Sequence, residues 1–273
     1  MARETSNNPS MNAPAENSSG DVNSCDDQLE AVRADNEQLF SLMQSDREDI
    51  LRAVLRNPAL DHKHLLVLLK RRNIGSVIPA IYASKRHIEM GAVKFALVTH
   101  PETPPHIVQT LIPLLSIFDL LKLCLMPGVS ADIHAAAERK IAQQIPTQPL
   151  GNKLTLARRG TAAILDALLR DGIQSVIEVC LDNPHLKEGS LHQFLTSVHA
   201  TAENVSMVAR NSRWKHRPNI RLAILKNSRT PLIWYTVFLP ELPATTVREL
   251  LACPRLTPAQ KELLRRATTS QHS

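Results

Sequence analysis

The chain has 273 residues, of which 43% are hydrophobic and 21% charged, which excludes wholesale disorder and is typical of a soluble globular protein. Only 8 glycines and 9 aromatic residues argue against a β-sandwich or a β-barrel, whose turns and strands are rich in both. The net charge of +6 is unevenly distributed, because residues 1–49 hold 11 acidic against 3 basic residues and residues 50–273 hold 15 against 29.

The first 45 residues are poor in apolar side chains. Residues 1–27 are rich in Asn, Ser, Ala, Pro and acidic residues and have little to bury, so we expect a disordered acidic arm. Apolar residues between positions 28 and 45 predict a weak amphipathic helix. Ser45 and Glu48 have the spacing of a capping box ahead of an apolar run, so the folded domain is expected to begin at residue 46.

Residues 46–268 have the periodicity of helices throughout. Apolar residues recur every three or four positions in segments separated by short breaks that contain Pro, Asn or Gly, and no alternating strand pattern interrupts them. Three Thr-Pro pairs, at Thr103, Thr230 and Thr257, are interpreted as helix starts with the threonine as N-cap and the proline as the first helical residue. The sequence therefore predicts an all-α domain followed by a disordered tail at 269–273.

The most apolar stretch, residues 107–126, is predicted to be two buried helices separated near Ser116. It contains polar residues and a proline that a membrane span of about 20 apolar residues would exclude, namely Gln109, Pro113, Asp119 and Lys122. The polar N-terminus predicts no secretory signal. The four cysteines are too dispersed for a disulfide framework or a zinc ribbon: Cys25, Cys124, Cys180 and Cys253. We expect a cytoplasmic protein.

The helical domain contains an internal repeat. Sliding the sequence by 127 residues matches apolar, alanine and proline positions over several helices without a gap, including Phe95 with Leu222, Ala96 with Ala223, Thr103-Pro104 with Thr230-Pro231 and Pro113 with Pro240. At an offset of 126, Asn57-Pro58 matches Asn183-Pro184. The matches predict a tandem duplication with halves at about 46–145 and 172–268 and an inserted helix pair at 146–171.

Helix pairs too small to bury their own apolar faces form a core by stacking, which is typical of an α-solenoid of antiparallel helix pairs. The breaks and the Thr-Pro pairs resemble those of HEAT-like repeats and, more closely, of the leucine-rich-repeat-variant class of bacterial helical repeats. The resemblance covers about residues 50–267, although Ser212 and Ser228 stand where that class has proline. It implies a curved stack that binds macromolecules and no catalytic residues.

The sequence offers no convincing catalytic or metal site. The 11 histidines form no pair four residues apart on one helix face, and neither glycine-rich phosphate-binding motif occurs, so we expect no metal and no cofactor. Cys180 and His185 are the nearest candidates for a nucleophilic pair, but a helix end explains both residues. The carboxylates Asp119, Asp166 and Asp171 are expected in surface salt bridges. We expect a protein that is not an enzyme.

Basic residues at helix ends are the best candidates for a binding surface, and Trp214 lies in their densest cluster. The candidates are Arg86, Lys94, Arg158, Arg159, Arg213, Trp214, Lys215, Arg217, Arg221 and Lys226. Cations of this kind attract polyanions or acidic protein surfaces. Trp214 would anchor the ligand, unless it packs between helices, and the excess charge would otherwise serve solubility alone. Trp234 and Tyr235 are expected in the core.

We therefore expect a non-catalytic scaffold that binds a protein partner with an acidic segment, with Trp214 as anchor and arginines supplying orientation and association rate. The alternative is a HEAT-like protein that binds nucleic acid, with cations on phosphates and the tryptophan stacked on a base. A helical enzyme such as a DNA glycosylase is a third reading, for which the sequence identifies no catalytic carboxylate. The oligomeric state is left open.

Overall fold

The structure, a computed structural model, describes the backbone of residues 19–270 and the side chains of residues 26–266 other than Lys85. Over this range it contains 19 α-helices and no β-strand, which confirms the all-α prediction. The predicted arm lies outside the described residues up to position 18, but α1 begins at Ser19, so residues 19–27 are helical. The predicted tail lies outside them from position 271, and the last helix ends at Ser270.

Contacts divide the chain into two compact units, residues 1–114 and 115–273. The division lies within the predicted helical domain and inside its first half, after a 3-10 helix that contains Pro113. In the first unit the helices are α1 Ser19–Arg33, α2 Asn36–Leu42, α3 Glu48–Val54, α4 His62–Leu68, α5 Ile78–Ala83, α6 Lys85–Ile88, α7 Gly91–Thr99 and α8 Pro105–Leu111, followed by the 3-10 helix Ile112–Leu114. Helix α3 packs on α1, and α4 packs on α2 and α7.

The second unit begins with the helix predicted after Ser116. Its helices are α9 Ile117–Leu125, α10 Ala131–Gln144, α11 Leu150–Arg159, α12 Ala162–Asp171, α13 Gln174–Asp182, α14 Glu188–Thr196, α15 Ala202–Arg210, α16 Pro218–Lys226, α17 Leu232–Phe238, α18 Ala244–Leu251 and α19 Pro258–Ser270, with 3-10 helices at Ile145–Thr147 and Leu239–Glu241. From α10 to α16 each helix packs on the next but one: α10 on α12, α12 on α14, α14 on α16, α11 on α13 and α13 on α15.

The apolar periodicity accounts for this packing. In α13 the buried residues Val176, Ile177, Cys180 and Leu181 recur at the spacing of one helix face, whereas Glu178 is exposed. Several helices begin at a hydroxyl residue, as at Ser116, whose Oγ accepts a hydrogen bond from the backbone N–H of Asp119. Side-chain capping satisfies an N–H group that has no partner within the helix.

Two of the three Thr-Pro helix starts were interpreted wrongly. The N-caps of α8 and α17 are the prolines Pro104 and Pro231, which form no side-chain cap. The hydroxyls of Thr103 and Thr230 donate backward to carbonyls near the end of the preceding helix, Leu97 O at 2.6 Å and Ile224 O at 2.5 Å. A threonine hydroxyl can donate as well as accept a hydrogen bond. Both side chains are buried, and both hydroxyls donate to a carbonyl of the preceding helix.

Thr257 behaves as predicted. Its Oγ1 accepts from the backbone N–H of Gln260, and the Gln260 side chain accepts from the N–H of Thr257, which completes a capping box. The capping box predicted at Ser45 and Glu48 does not form. Arg47 is the N-cap of α3, and the Ser45 hydroxyl accepts from the N–H of Arg47 instead.

Helix boundaries coincide at the offset of 127 residues. Adding 127 to the bounds of α7 and α8 gives those of α16 and α17, and the 3-10 helix Ile112–Leu114 falls on Leu239–Glu241. The hydrogen bonds of Thr103 and Thr230 are related by the same offset, donor and acceptor alike. Between the two predicted halves, residues 146–171 hold α11, α12 and part of a 3-10 helix.

Candidate binding surface

Three turns of the second unit, those after α11, α13 and α15, are joined by hydrogen bonds from side chains to carbonyls. Asn183, which follows α13, donates from Nδ2 to Ala157 O near the end of α11 at 2.8 Å. Arg213, which follows α15, donates to Asn183 O at 2.6 Å and to Leu186 O at 3.2 Å. The turns after α11, α13 and α15 therefore lie next to one another.

These turns carry cations and no acidic residue. We call residues 158–161, 183–187 and 211–217 the basic edge; its cations are Arg158, Arg159, Lys187, Arg213, Lys215 and Arg217. Asp182 and Glu188 flank it and accept hydrogen bonds from the side-chain amides of Asn211 and Asn219. Because like charges lie close together along adjacent turns, the edge favours an anionic ligand.

Two of these cations lie at the beginning of helices. Lys187 and Arg217 are the N-cap residues of α14 and α16, and both are exposed. The hydrogen bond from Asn219 Nδ2 to Glu188 Oε1, 3.0 Å long, places the two helix starts side by side. Within the part of the chain that the structure describes, neither cation has an ion-pair partner. The helix N-termini add positive potential, which favours the binding of anions.

Trp214 is not available as an anchor. It is only 3% exposed, and its Nε1 donates to Leu181 O at 2.9 Å. The guanidinium of Arg213 lies 4.5 Å from the centre of its ring and donates to carbonyls of the turn after α13. The predicted exposed cluster is thus divided: Trp214 and Arg213 hold neighbouring turns together, whereas Arg217 is exposed and Lys215 half-buried.

Arg221 also differs from the prediction. Its Nε donates to Lys215 O at 2.6 Å, its Nη1 lies 2.5 Å from a carboxylate oxygen of Glu241, and its side chain is 14% exposed. The guanidinium lies 5.4 Å from the ring centre of Phe238. Arg221 therefore supports the turn before α16 rather than offering a free charge to a ligand.

The remaining candidates are not part of the basic edge. Lys226 lies at the opposite end of α16 from Arg217 and lines a groove of about 630 Å³ with Arg229 and Arg255. Arg86 is exposed and Lys94 half-buried, and both belong to the first unit. The predicted set thus contains one group of neighbouring cations, at Arg158, Arg159, Lys215 and Arg217.

Sequence reasoning missed Lys187. The turn after α13 and the turn after α15 each begin with an asparagine whose Oδ1 accepts from the N–H two residues later. Aligning Asn183 with Asn211 matches Lys187 with Lys215, each four residues after its asparagine. This offset of 28 residues is also the sequence offset between α13 and α15. It is the signal that would have found Lys187.

The remaining chemistry-bearing residues form no reactive site. Burial raises the pKa of the Cys180 thiol to about 12, and Cys180 is fully buried whereas His185 is exposed. Burial and then Glu138 raise the pKa of Cys124 to about 12. A thiol with such a pKa is a poor nucleophile at neutral pH. Across the described positions, no three His, Cys, Asp or Glu side chains lie close enough to hold a metal ion.

The expected surface salt bridges of three carboxylates are not found. Asp171 pairs with Lys153 at 2.7 Å, but the pair is buried, with side chains 13% and 5% exposed. Asp119 accepts from the Ser116 hydroxyl, and Asp166 has a buried oxygen with no hydrogen-bond partner among the described atoms. The sequence positions of these three acidic residues thus did not predict which side chains they contact.

Tyr235 is fully buried as predicted, whereas Trp234 is half-buried at the surface of α17.

Comparison of the chain with protein-family models, with curated proteins and with solved structures finds no match. Of the helices within residues 19–270, none is long and apolar enough to span a membrane.

Proposed function

We propose that the chain is a HEAT-like helical-repeat protein, a solenoid of antiparallel helix pairs within each unit. Packing of each helix on the next but one, from α10 to α16, supports this arrangement, because stacked helix pairs contact their neighbours in this way. Links between turns about one helix pair apart, such as those of Asn183 and Trp214, support it as well.

A tandem duplication within this repeat accounts for the matching hydrogen bonds. Asn57 donates from Nδ2 to Ala31 O and accepts from the N–H of Ala59. Asn183 donates to Ala157 O and accepts from the N–H of His185, so both of these partners are displaced by 126 residues. A further hydrogen bond, from Asn57 Nδ2 to Ala34 O, has no counterpart at Asn183 among the described residues. Coincidence of helix bounds alone could reflect a common helix length, but coincidence of buried donors and acceptors indicates common descent of the two halves.

The function that the geometry supports best is non-catalytic binding of an acidic segment of a partner protein at the basic edge. The observation that carries it is the side-by-side placement of three turns with six cations and no acidic residue. Lys187, Lys215 and Arg217 would contact the ligand, and Arg213 and Trp214 would keep the turns in register. The buried thiols of Cys124 and Cys180 fit a reducing compartment, so we place this interaction in the cytoplasm.

The test is fluorescence anisotropy with a labelled peptide rich in glutamate, using the full chain. Exchanging Lys187, Lys215 and Arg217 for serine removes three charges from the basic edge. The control, exchange of Lys226, Arg248 and Arg255 for serine, removes three charges from the end of α16, from α18 and from the turn after α18. We expect at least about tenfold weaker binding for the first variant only. Equal binding by both variants would refute the assignment.

Binding of nucleic acid is the competing outcome of the same test. Burial of Trp214 removes the tryptophan that would stack on a base, which leaves the cations of the basic edge for contacts to phosphates. A random DNA duplex that binds more tightly than the acidic peptide, with a salt dependence that indicates several released counterions, would replace the protein partner with nucleic acid. Absence of duplex binding at low salt together with peptide binding supports the protein partner.

A further inference from the structure

Helix α17 exposes an apolar surface that the fold leaves uncovered. Leu232, Ile233 and Val237 are 44%, 61% and 47% exposed, and we call these three residues the apolar ridge. Ile233 and Val237 are one helical turn apart and lie on one face of α17. Single exposed apolar residues are common, but three on a helix of seven residues form a patch.

The internal repeat shows that the fold does not require this ridge. At the offset of 127, Pro105, His106 and Thr110 of α8 stand at the positions of Leu232, Ile233 and Val237, and all three are exposed. The buried positions keep their apolar or aromatic character, with Val108 matching Tyr235. The same helix therefore forms with a polar outer face, and the apolar side chains of α17 serve something other than folding.

An acidic groove adjoins the ridge. A groove of about 550 Å³ between α13 and α15 is lined by three exposed carboxylates, Glu178, Asp182 and Glu203, and by the half-buried Met207. None of the three carboxylates has an ion-pair partner among the residues that the structure describes, although Asp182 accepts a hydrogen bond from Asn211. The half-buried Met207 adds an apolar side chain to this acidic lining.

Trp234 connects the groove to the ridge. Its Nε1 donates to Ser206 Oγ at 3.0 Å, and the guanidinium of Arg210 lies 6.0 Å from the centre of its ring. Ser206, Arg210 and Pro231 all line the groove, so the groove reaches the beginning of α17. Because Pro231 precedes Leu232, the apolar ridge begins next to the groove.

We propose that the apolar ridge and the acidic groove bind a basic amphipathic helix of a partner protein. Its apolar side chains would cover Ile233 and Val237, and its lysines or arginines would pair with Glu178 and Glu203. Amphipathic helices bind to apolar grooves through side chains three and four residues apart, and complementary charge sets their orientation. This surface has the opposite charge to the basic edge, so an acidic ligand of that edge does not fit it.

The probe is a labelled peptide of about 18 residues composed of Leu and Lys, with leucines every three or four positions, titrated into the full chain. A peptide of the same composition in scrambled order lacks the apolar face, and a Leu/Glu peptide has the opposite charge. The variant I233H/V237T carries the residues of the first repeat at the ridge. The variant E178Q/E203Q removes two charges from the groove, and H106A/T110A alters the equivalent positions of α8 as a control.

We expect the Leu/Lys peptide to bind the wild type and to bind I233H/V237T and E178Q/E203Q at least about tenfold more weakly, with no change for H106A/T110A. Equal binding of the scrambled or Leu/Glu peptide, or no loss in either ridge or groove variant, overturns the proposal. Sedimentation that shows a dimer of the wild type and a monomer of I233H/V237T also overturns it, because a second copy then covers the ridge. Loss of peptide binding by the serine variant of the basic edge would contradict the separation of the two surfaces.

Discussion

The link between turns through Asn183 gives the sharpest test of how neighbouring turns of the second unit are held together. Asn183 is 3% exposed, donates to Ala157 O and accepts from the N–H of His185. Replacing it with alanine removes two hydrogen bonds, each contributing about 1 kcal/mol, and leaves a buried polar group without its partner at an added cost of about 1–2 kcal/mol. We expect Asn183→Ala to lower the free energy of unfolding of the second unit by about 3–4 kcal/mol.

Urea unfolding followed by circular dichroism measures this loss as a lower urea midpoint. Thermal unfolding should show a melting temperature lower by about 6–16 °C. Asn211→Ala is the matched control, because its side chain forms the same turn but donates to the exposed carboxylate of Asp182. The control should lose less than about 1 kcal/mol, as for other exposed contacts. Asn57→Ala should cost at least as much as Asn183→Ala, since Asn57 makes the two matching hydrogen bonds and a third one, to Ala34 O. Equal losses in Asn183→Ala and Asn211→Ala would refute this reasoning.

Three further predictions concern the buried polar residues. Thr103→Val and Thr230→Val should each lower the unfolding free energy by about 1–2 kcal/mol, while serine at either position retains the hydrogen bond and stability in urea titrations. Lys153→Ala should cost about 3–5 kcal/mol because it leaves Asp171 buried and unpaired, and the double variant with Asp171→Ala should recover part of the loss. Burial and then the charge of Arg86 lower the pKa of His87, and the charge of Asp61 opposes them. The unfolded chain therefore binds a proton at His87 more readily than the folded chain, so the wild type should lose stability as the pH falls below about 6.5. His87→Gln should remove that part of the pH dependence of unfolding.

The helical architecture could be predicted from the sequence because it depends on local patterns. Spacing of apolar residues and breaks at proline and asparagine place helices such as α13 and α16, and the offset of 127 anticipates the coincidence of α7 with α16. The direction of the threonine hydroxyls could not be predicted. A Thr-Pro pair fits an N-cap equally well, and only the packing of the preceding helix shows that the carbonyl of Leu97 or Ile224 is the acceptor.

The candidate site was predictable in its charge but not in its geometry. Trp214 lies among cations in the sequence, yet its ring is buried and its Nε1 donates to Leu181 O, 33 residues earlier. Arg213 and Arg221 form contacts over similar distances along the chain. No local pattern distinguishes an arginine that donates to a neighbouring turn from one that extends into solvent, such as Arg217. That distinction depends on which carbonyls the stacked helices leave without a partner.

A comparison of Glu102 with Arg229, which are equivalent at the offset of 127, shows what the repeat preserves. The Glu102 carboxylate accepts from the N–H groups of Asn73, Ile74 and Gly75, at 3.0, 2.8 and 2.7 Å. Desolvation is the largest single influence on the pKa of Glu102 and raises it, but the three hydrogen bonds together hold the pKa below its usual value. Asn73 has a φ of 63°, a left-handed conformation in which the turn presents its N–H groups to the carboxylate.

Arg229 also binds a neighbouring turn, but it donates hydrogen bonds to backbone carbonyls, whereas Glu102 accepts them from backbone N–H groups. Its Nη1 donates to Val198 O at 2.8 Å and to Ala200 O at 3.4 Å, in the turn before α15, as residues 73–75 lie before α5. A turn that presents N–H groups requires an anion, and a turn that presents carbonyls requires a cation. The position of the link is therefore retained while its charge is reversed, because backbone conformation at the neighbouring turn decides which side chain can form hydrogen bonds with it.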